Sequence, residues 1–154
     1  MLGFFGNHPL LIDDKSRMKL PSKFRAVLQE KYPDEQNEIV VTLSLNGLLG
    51  LYPMSEYECY IQEFTENSSE RELNTRRLLT AIEGSTFEEK IDSQFRIRLD
   101  PTLCRLAGIQ KDIVVIGRRT YMEVWDRSKW ESFLESTIPE ISSTADKSYR
   151  STKI

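Results

Sequence analysis

One unit is written twice in this chain, and that constrains its fold more than any other property. Asp13-Asp14-Lys15-Ser16-Arg17-Met18-Lys19-Leu20 returns as Asp92-Ser93-Gln94-Phe95-Arg96-Ile97-Arg98-Leu99. Both copies read Asp-x-x-x-Arg-apolar-basic-Leu. Ile39-Val40-Val41 returns as Ile113-Val114-Val115, and Leu51-Tyr52-Pro53 with Tyr57 returns as Val124-Trp125-Asp126 with Trp130. Each copy is too small to bury a good core alone, so the pair implies one pseudo-symmetric body. Each copy also presents basic side chains on a turn, which points to binding rather than catalysis.

Pattern and punctuation predict the layout of each copy as strand–turn–strand–helix–strand–turn–strand. In the first copy, a short strand over residues 4–12 is interrupted by Asn7-His8-Pro9. Met18-Lys19-Leu20 alternates as a second strand, and Pro21-Ser22 opens a helix to about residue 31, with Phe24, Val27 and Leu28 at helical spacing. A polar loop covers 32–37. Strand 39–43 then pairs with 48–52 across the hairpin signal Asn46-Gly47. A helical connector follows: one helix over 55–64, and a second opened by the capping box Ser69-x-x-Glu72 and closed by Gly84. The unit then restarts with a strand at 87–91, a turn at 92–96 and a strand at 97–99. Asp100-Pro101 opens a short helix closed by Gly108, and strand 113–116 pairs with 121–125. A final helix spans about 128–134, and the Ser/Thr/Lys-rich stretch 142–154 has the composition of disorder. The copies fall 79 residues apart at the Asp and 74 apart at Ile-Val-Val, and the 32–37 loop accounts for the difference. The expectation is an α+β class, mainly β. The units are residues 7–54 and 86–129, a helical connector at 55–85, and a C-terminal helix end and tail at 130–154.

Charge separates along the same boundaries. The net charge of −3 does not advertise a nucleic-acid binder. Yet residues 13–25 hold five basic against two acidic residues, a local +3, and 92–119 hold six against three, again +3. Residues 54–91 hold nine Glu against four basic residues, a local −5. A bipolar molecule of this kind can attract phosphate on one face. Cys59 and Cys104 lack any C-x-x-C partner, so buried free thiols and a reducing compartment are expected. No apolar run approaches the roughly 20 residues of a bilayer span, and the first residues lack a basic signal-peptide region. The single histidine, His8, reads as a strand-end surface residue. There is no Ser/His/Asp set, Gly-rich phosphate loop, cofactor motif or metal-ligand spacing, which argues against an enzyme and against a small-molecule substrate.

The motif residues divide by chemistry. An Asp opening a turn accepts hydrogen bonds from backbone amides two residues on and can pair with the Arg four positions later, so Asp13 and Asp92 read as turn scaffolds. Arg17 offers a planar fork suited to guanine edges or phosphate. Lys15 is a point charge near the turn tip, and Lys19 lies two along from Arg17 on the same strand face. Arg96 and Arg98 repeat the arrangement. The bland alternative for Arg17 and Arg96 is an ion pair to the motif Asp with no ligand. Arg118-Arg119 reads as a solvated hairpin tip, and Tyr52, Tyr57, Trp125 and Trp130 as core or interface aromatics.

This ordered set resembles the MraZ family of bacterial proteins over residues 1 to about 135. Asp13 through Pro21 is similar to the family's Asp-x-Lys-Gly-Arg-x-x-x-Pro, and Gly6, Arg76-Arg77-Leu78-Leu79, Asp112 through Gly117 and Met122 through Asp126 also match. The resemblance implies two tandem AbrB/SpoVT-like swapped-hairpin repeats. It implies a transcriptional regulator of the division and cell-wall gene cluster, in cytoplasm and nucleoid. The partners it implies are double-stranded DNA carrying short direct repeats and further copies of itself in a ring. Lys15, Arg17, Lys19, Arg96 and Arg98 are then the DNA-contacting candidates. The chain departs from the family at Ser16 and Phe95, where Gly is usual. Either the second turn differs or Phe95 has a packing role, and on this ground the first turn ranks above the second as a DNA reader. Two rivals remain: an oligomeric protein-interaction scaffold with incidental DNA binding, and the antitoxin role seen with the same hairpin fold, against which a short polar tail argues.

Overall fold

The computed structural model describes residues 2–67 and 73–152, with side chains described through 145. Among these described residues eight strands and five α-helices run in the order β1 (Asn7–Leu11), β2 (Arg17–Lys19), α1 (Lys23–Lys31), β3 (Glu38–Leu43), β4 (Leu49–Tyr52), α2 (Met54–Asn67), α3 (Leu73–Gly84), β5 (Phe87–Lys90), β6 (Arg96–Arg98), α4 (Pro101–Leu106), β7 (Asp112–Gly117), β8 (Met122–Asp126) and α5 (Arg127–Thr152). A 3-10 turn at Pro33–Glu35 lies in the expected polar loop. The fold is α+β, as expected. Its centre is a six-stranded sheet in the order β1-β7-β8-β4-β3-β5, with β2 and β6 forming a separate two-stranded ribbon.

That order is its own image when the repeats are exchanged. β1 does not pair within its own copy but runs antiparallel to β7, with Leu10 opposite Ile113. β5 likewise pairs β3, with Ile39 opposite Glu89. The hairpins are thus swapped between copies, and neither copy owns a complete sheet. One apolar core collects from both: Met18, Leu20, Ile39, Val41, Leu49 and Leu51 from the first copy meet Ile97, Leu99, Ile113, Val115, Met122 and Val124 from the second. Sharing one core is how two short units bury enough apolar area to be stable.

Four details depart from the sequence expectation. β1 runs unbroken through Asn7-His8-Pro9, because it is an edge strand, where proline's missing N–H costs no ladder bond. His8 is half-buried there, donating from Nε2 to the Phe5 carbonyl at 3.0 Å and lying edge-on to Phe24. Cys59 is exposed on α2 rather than buried, while Cys104 is half-buried. The last helix does not stop near residue 134: α5 continues through Pro139 to Thr152. From residue 135 to 145 the low hydrophobicity reflects exposed helix, since composition reports burial and not backbone state. The aromatic cluster Trp125–Trp130–Phe133, with ring centroids 5.0 to 5.7 Å apart, anchors its first turns. The Ser69–Glu72 capping box lies outside the described residues.

Candidate nucleic-acid interface

The two Asp-x-x-x-Arg segments fold into the same turn. Asp13 N–H donates to the Arg17 carbonyl at 2.8 Å and Ser16 N–H to the Asp13 carbonyl at 3.0 Å. In the second copy, Asp92 N–H donates to Arg96 O at 2.9 Å and Phe95 N–H to Asp92 O at 3.0 Å. This is a three-residue hairpin loop whose last residue must be left-handed. Ser16 and Phe95 both sit at φ 60°. The usual Gly is explained by that angle. Of the two readings of Phe95, the packing one holds: the turn is unchanged, and the ring is 4% exposed in the core.

Each Asp ties its turn together. Asp13 Oδ1 accepts from the backbone N–H groups of Lys15 and Arg17, both at 2.9 Å, and Oδ2 accepts from Arg17 Nε at 2.9 Å. Asp92 repeats the pattern with Gln94, Arg96 and Arg96 Nε, all at 2.9 Å. The Arg17 N–H, foremost, holds the Asp13 carboxyl below the usual carboxylate range against the raising effect of burial; the Arg17 side chain and Lys15 N–H add to it. The Arg96 N–H does the same for Asp92. Because the Asp engages Nε, the guanidinium is oriented while its two terminal nitrogens stay uncommitted. Among the described residues they have no acceptor.

The turns are set side by side by the β2–β6 ribbon. Arg17 stands opposite Arg98, Met18 opposite Ile97, and Lys19 opposite Arg96. Two further bonds extend the ladder into each turn: Leu99 N–H to Ser16 O at 2.7 Å, and Leu20 N–H to Phe95 O at 2.9 Å. Strand side chains alternate between faces. Met18 and Ile97 point into the core, at 0% and 1% exposure. Arg17, Lys19, Arg96 and Arg98 therefore share the outer face. Arg98 is held loosely by Asp100 at 3.8 Å, and Lys19 has no ion-pair partner among the described residues. Like charges directly opposite in a ladder are destabilising, so this face is built at some cost to the free protein. Lys15 is exposed at the first turn tip; the second turn has neutral Gln94 there.

Elsewhere the expected readings differ in detail. Arg118, at the β7–β8 hairpin, is half-exposed but pairs at 3.1 Å with Glu123, which is 2% exposed and also accepts from Asn46 and Trp125. Tyr52 stacks on Tyr121 at 4.6 Å and is buried. Sequence reasoning missed the pairing of β2 with β6, and hence the opposition of all four cations. The available signal was that each three-residue strand, too short to stand alone, carries the same basic–apolar–basic pattern.

Comparison with known proteins agrees with this architecture. The MraZ protein family, described as antitoxin-like, matches residues 4–80 and 82–152. A protein of Mycolicibacterium gilvum is 33% identical over 143 residues, 93% of this chain and 94% of its own length. One from Lachnoclostridium phytofermentans is 32% identical over 138 residues, covering 90% and 92%. One from Mycoplasmoides gallisepticum is 30% identical over 145 residues, covering 93% and 95%. Each of the three bears the name transcriptional regulator MraZ. With both motif turns, the swapped hairpins and near full-length matches in agreement, the chain belongs to the MraZ family.

Proposed function

We propose that this protein is a DNA-binding transcriptional regulator that reads duplex DNA with the β2–β6 ribbon. The observation that carries the reading is the four-cation face, where Arg17 and Lys19 oppose Arg98 and Arg96 with the arginine forks pre-oriented by Asp13 and Asp92. A two-stranded ribbon fits the major groove, and arginine forks match guanine edges or phosphate. A neighbouring polyanion relieves the cross-strand repulsion. The relatives' shared name supports the transcriptional role. The Asp–Arg pairs alone fit a turn-tying role with no ligand; what the rival in which the DNA contact is incidental leaves unexplained is the row of four cations on one face.

In this proposal both turns contribute. The reason for ranking Arg96 below Arg17 was a disturbed second turn, and the two turns have matching hydrogen bonds and φ angles. Lys15 adds a phosphate contact on the first side only. One ribbon touches few base pairs, so useful affinity requires several copies on one scaffold. A closed head-to-tail ring supplies them and suits short direct repeats. The exposed side chains Leu11, Leu106, Phe133, Ile138 and Ile141, from 42% to 70% exposed, are apolar surface of the kind such assembly covers. The resemblance further supports the division and cell-wall gene cluster as the target and a cytoplasmic, nucleoid-associated location. No helix among the described residues is long and apolar enough to cross a membrane.

The test is fluorescence anisotropy on DNA upstream of the protein's own operon, across a salt series. Arg17→Ala and Arg96→Ala should each cost about 1–3 kcal/mol, the worth of one good base-reading pair. Each should also flatten the salt slope by about one charge. Wild-type binding that is flat in salt, or unchanged in both variants, refutes the reading.

A further inference from the structure

Behind each motif turn the two repeats build corresponding hollows, and they fill them differently. Behind the second turn lies the Phe95 ring, with the Arg25 guanidinium stacked 4.5 Å from its centroid. The space left there is about 250 Å³. An offset of 79 residues carries Ile91 and Asp92 onto Ile12 and Asp13, keeping the residue type. The same offset carries Phe95 onto Ser16, Arg25 onto Cys104 and Gln29 onto Gly108. All six of these last residues line their respective hollows. Each of the three exchanges replaces a large side chain with a small one. The hollow behind the first turn accordingly measures about 580 Å³. Ile12, Pro101 and Ile109 give it apolar walls, and Arg105 and Lys111 stand with Asp13 and Asp14 among the polar lining.

We propose that this hollow behind the first turn is a binding site for a small ligand bearing a flat apolar ring, the group that Phe95 supplies in the second repeat. Its volume falls within the roughly 300–1,000 Å³ of small-molecule sites, and its make-up of apolar walls with a few polar groups is theirs as well. The second repeat shows that the same turn backbone, at the same φ, accommodates a phenyl ring packed beneath it. A ligand in the first hollow lies against Asp13, whose carboxylate holds Lys15 and Arg17 in place. Occupation therefore bears on the first turn and not the second. Only this consequence rests on the DNA-reading function; ligand binding is measured without DNA.

The probe is 4-fluorophenol, followed by fluorine NMR on the full chain. The expected result is saturable binding at one site per chain, abolished in Ser16→Phe, which places in the first hollow the ring that already fills the second. Circular dichroism checks that the variant folds. Alkylation by iodoacetamide is the second readout and needs no variant: the probe should protect Cys104, which lines the hollow, and leave the exposed Cys59 reactive. No saturable signal, as when a second copy of the chain fills the hollow, overturns the proposal. So does equal binding by a folded Ser16→Phe, or protection of both thiols alike.

Discussion

Placing glycine at the left-handed position of each turn should move stability in opposite directions. Ser16 and Phe95 share φ 60°, and a non-glycine residue there costs about 1–2 kcal/mol from Cβ crowding. Ser16→Gly relieves that cost. It also loosens the unfolded chain, which gives back about 0.4–1 kcal/mol. The serine side chain is half-buried beside an open hollow and contributes little packing, so the variant should gain about 0.5–1 kcal/mol. Phe95→Gly relieves the same strain but removes a ring that is 4% exposed and stacked under Arg25. Deleting a buried phenylalanine costs about 3–5 kcal/mol. The net relief of about 0.5–1 kcal/mol is smaller than that, and the net loss should be about 2–4.5 kcal/mol. Urea unfolding with m unchanged between variants reads both numbers. If both glycines stabilise, Phe95 is not a packed core residue. If both destabilise, the left-handed angle of the first turn is not a strain.

Further outcomes follow from named contacts. Asp13 and Asp92 have lowered carboxyl pKa values when folded. The stability they contribute is therefore present above the ordinary carboxylate range and lost as pH falls through their lowered values. Asp13→Asn should shrink the acid-limb slope of stability against pH, and an identical slope refutes it. Arg17→Lys should fail to restore DNA affinity to Arg17→Ala beyond the return of one salt-slope unit, because an ammonium cannot bond the Asp and still present a fork. Gly117→Ala should be strongly destabilising, since a Cβ there would stand 2.3 to 2.5 Å from the backbone of Phe4 and Phe5; a soluble variant with wild-type thermal unfolding contradicts the close approach. Sedimentation should give a ring-sized assembly, and only a species near the 18.0 kDa chain mass rejects it.

The elements were legible because their signals are local. Asp100 caps α4 by accepting from Thr102 N–H and Leu103 N–H at 2.9 and 3.2 Å, as the Asp-Pro pair announces. Asn46-Gly47 turns β3 into β4, with Gly47 at φ 78°. The repeat itself announced the pseudo-symmetry. What the sequence could not show was partnership across the repeats. β1 with β7, β3 with β5 and β2 with β6 are long-range pairings. Nothing local distinguishes a strand that pairs within its copy from one that pairs across it. The length of α5 was hidden for another reason. From residue 135 to 145 its side chains are nearly all exposed, so the Ser/Thr/Lys-rich composition reads as solvated chain even though Leu134, Ile138 and Ile141 keep helical spacing. The two hollows were hidden as well: Ser16, Cys104 and Gly108 lie far apart in the chain and acquire a common meaning only when set against Phe95, Arg25 and Gln29 in space.

Joining the two swapped hairpins in one chain has a consequence that two identical subunits could not achieve. In a symmetric pair every substitution appears twice, so both turns would carry the same tip and the same filling. Here the ribbon keeps a cation at all four outer positions, while the surroundings diverge to Lys15 against Gln94 and Ser16 against Phe95. The part kept in both repeats is the part that, under the proposed function, both turns would present to a shared polyanion. The divergent part is what lets one turn differ from its twin in charge at the tip and in packing beneath. Exchanging the tips, as Lys15→Gln with Gln94→Lys, leaves the net charge and the ribbon unchanged. If the turns face equivalent stretches of one groove, affinity and salt slope should stay within about twofold of wild type; a larger loss would mean that the first turn meets phosphate where the second does not.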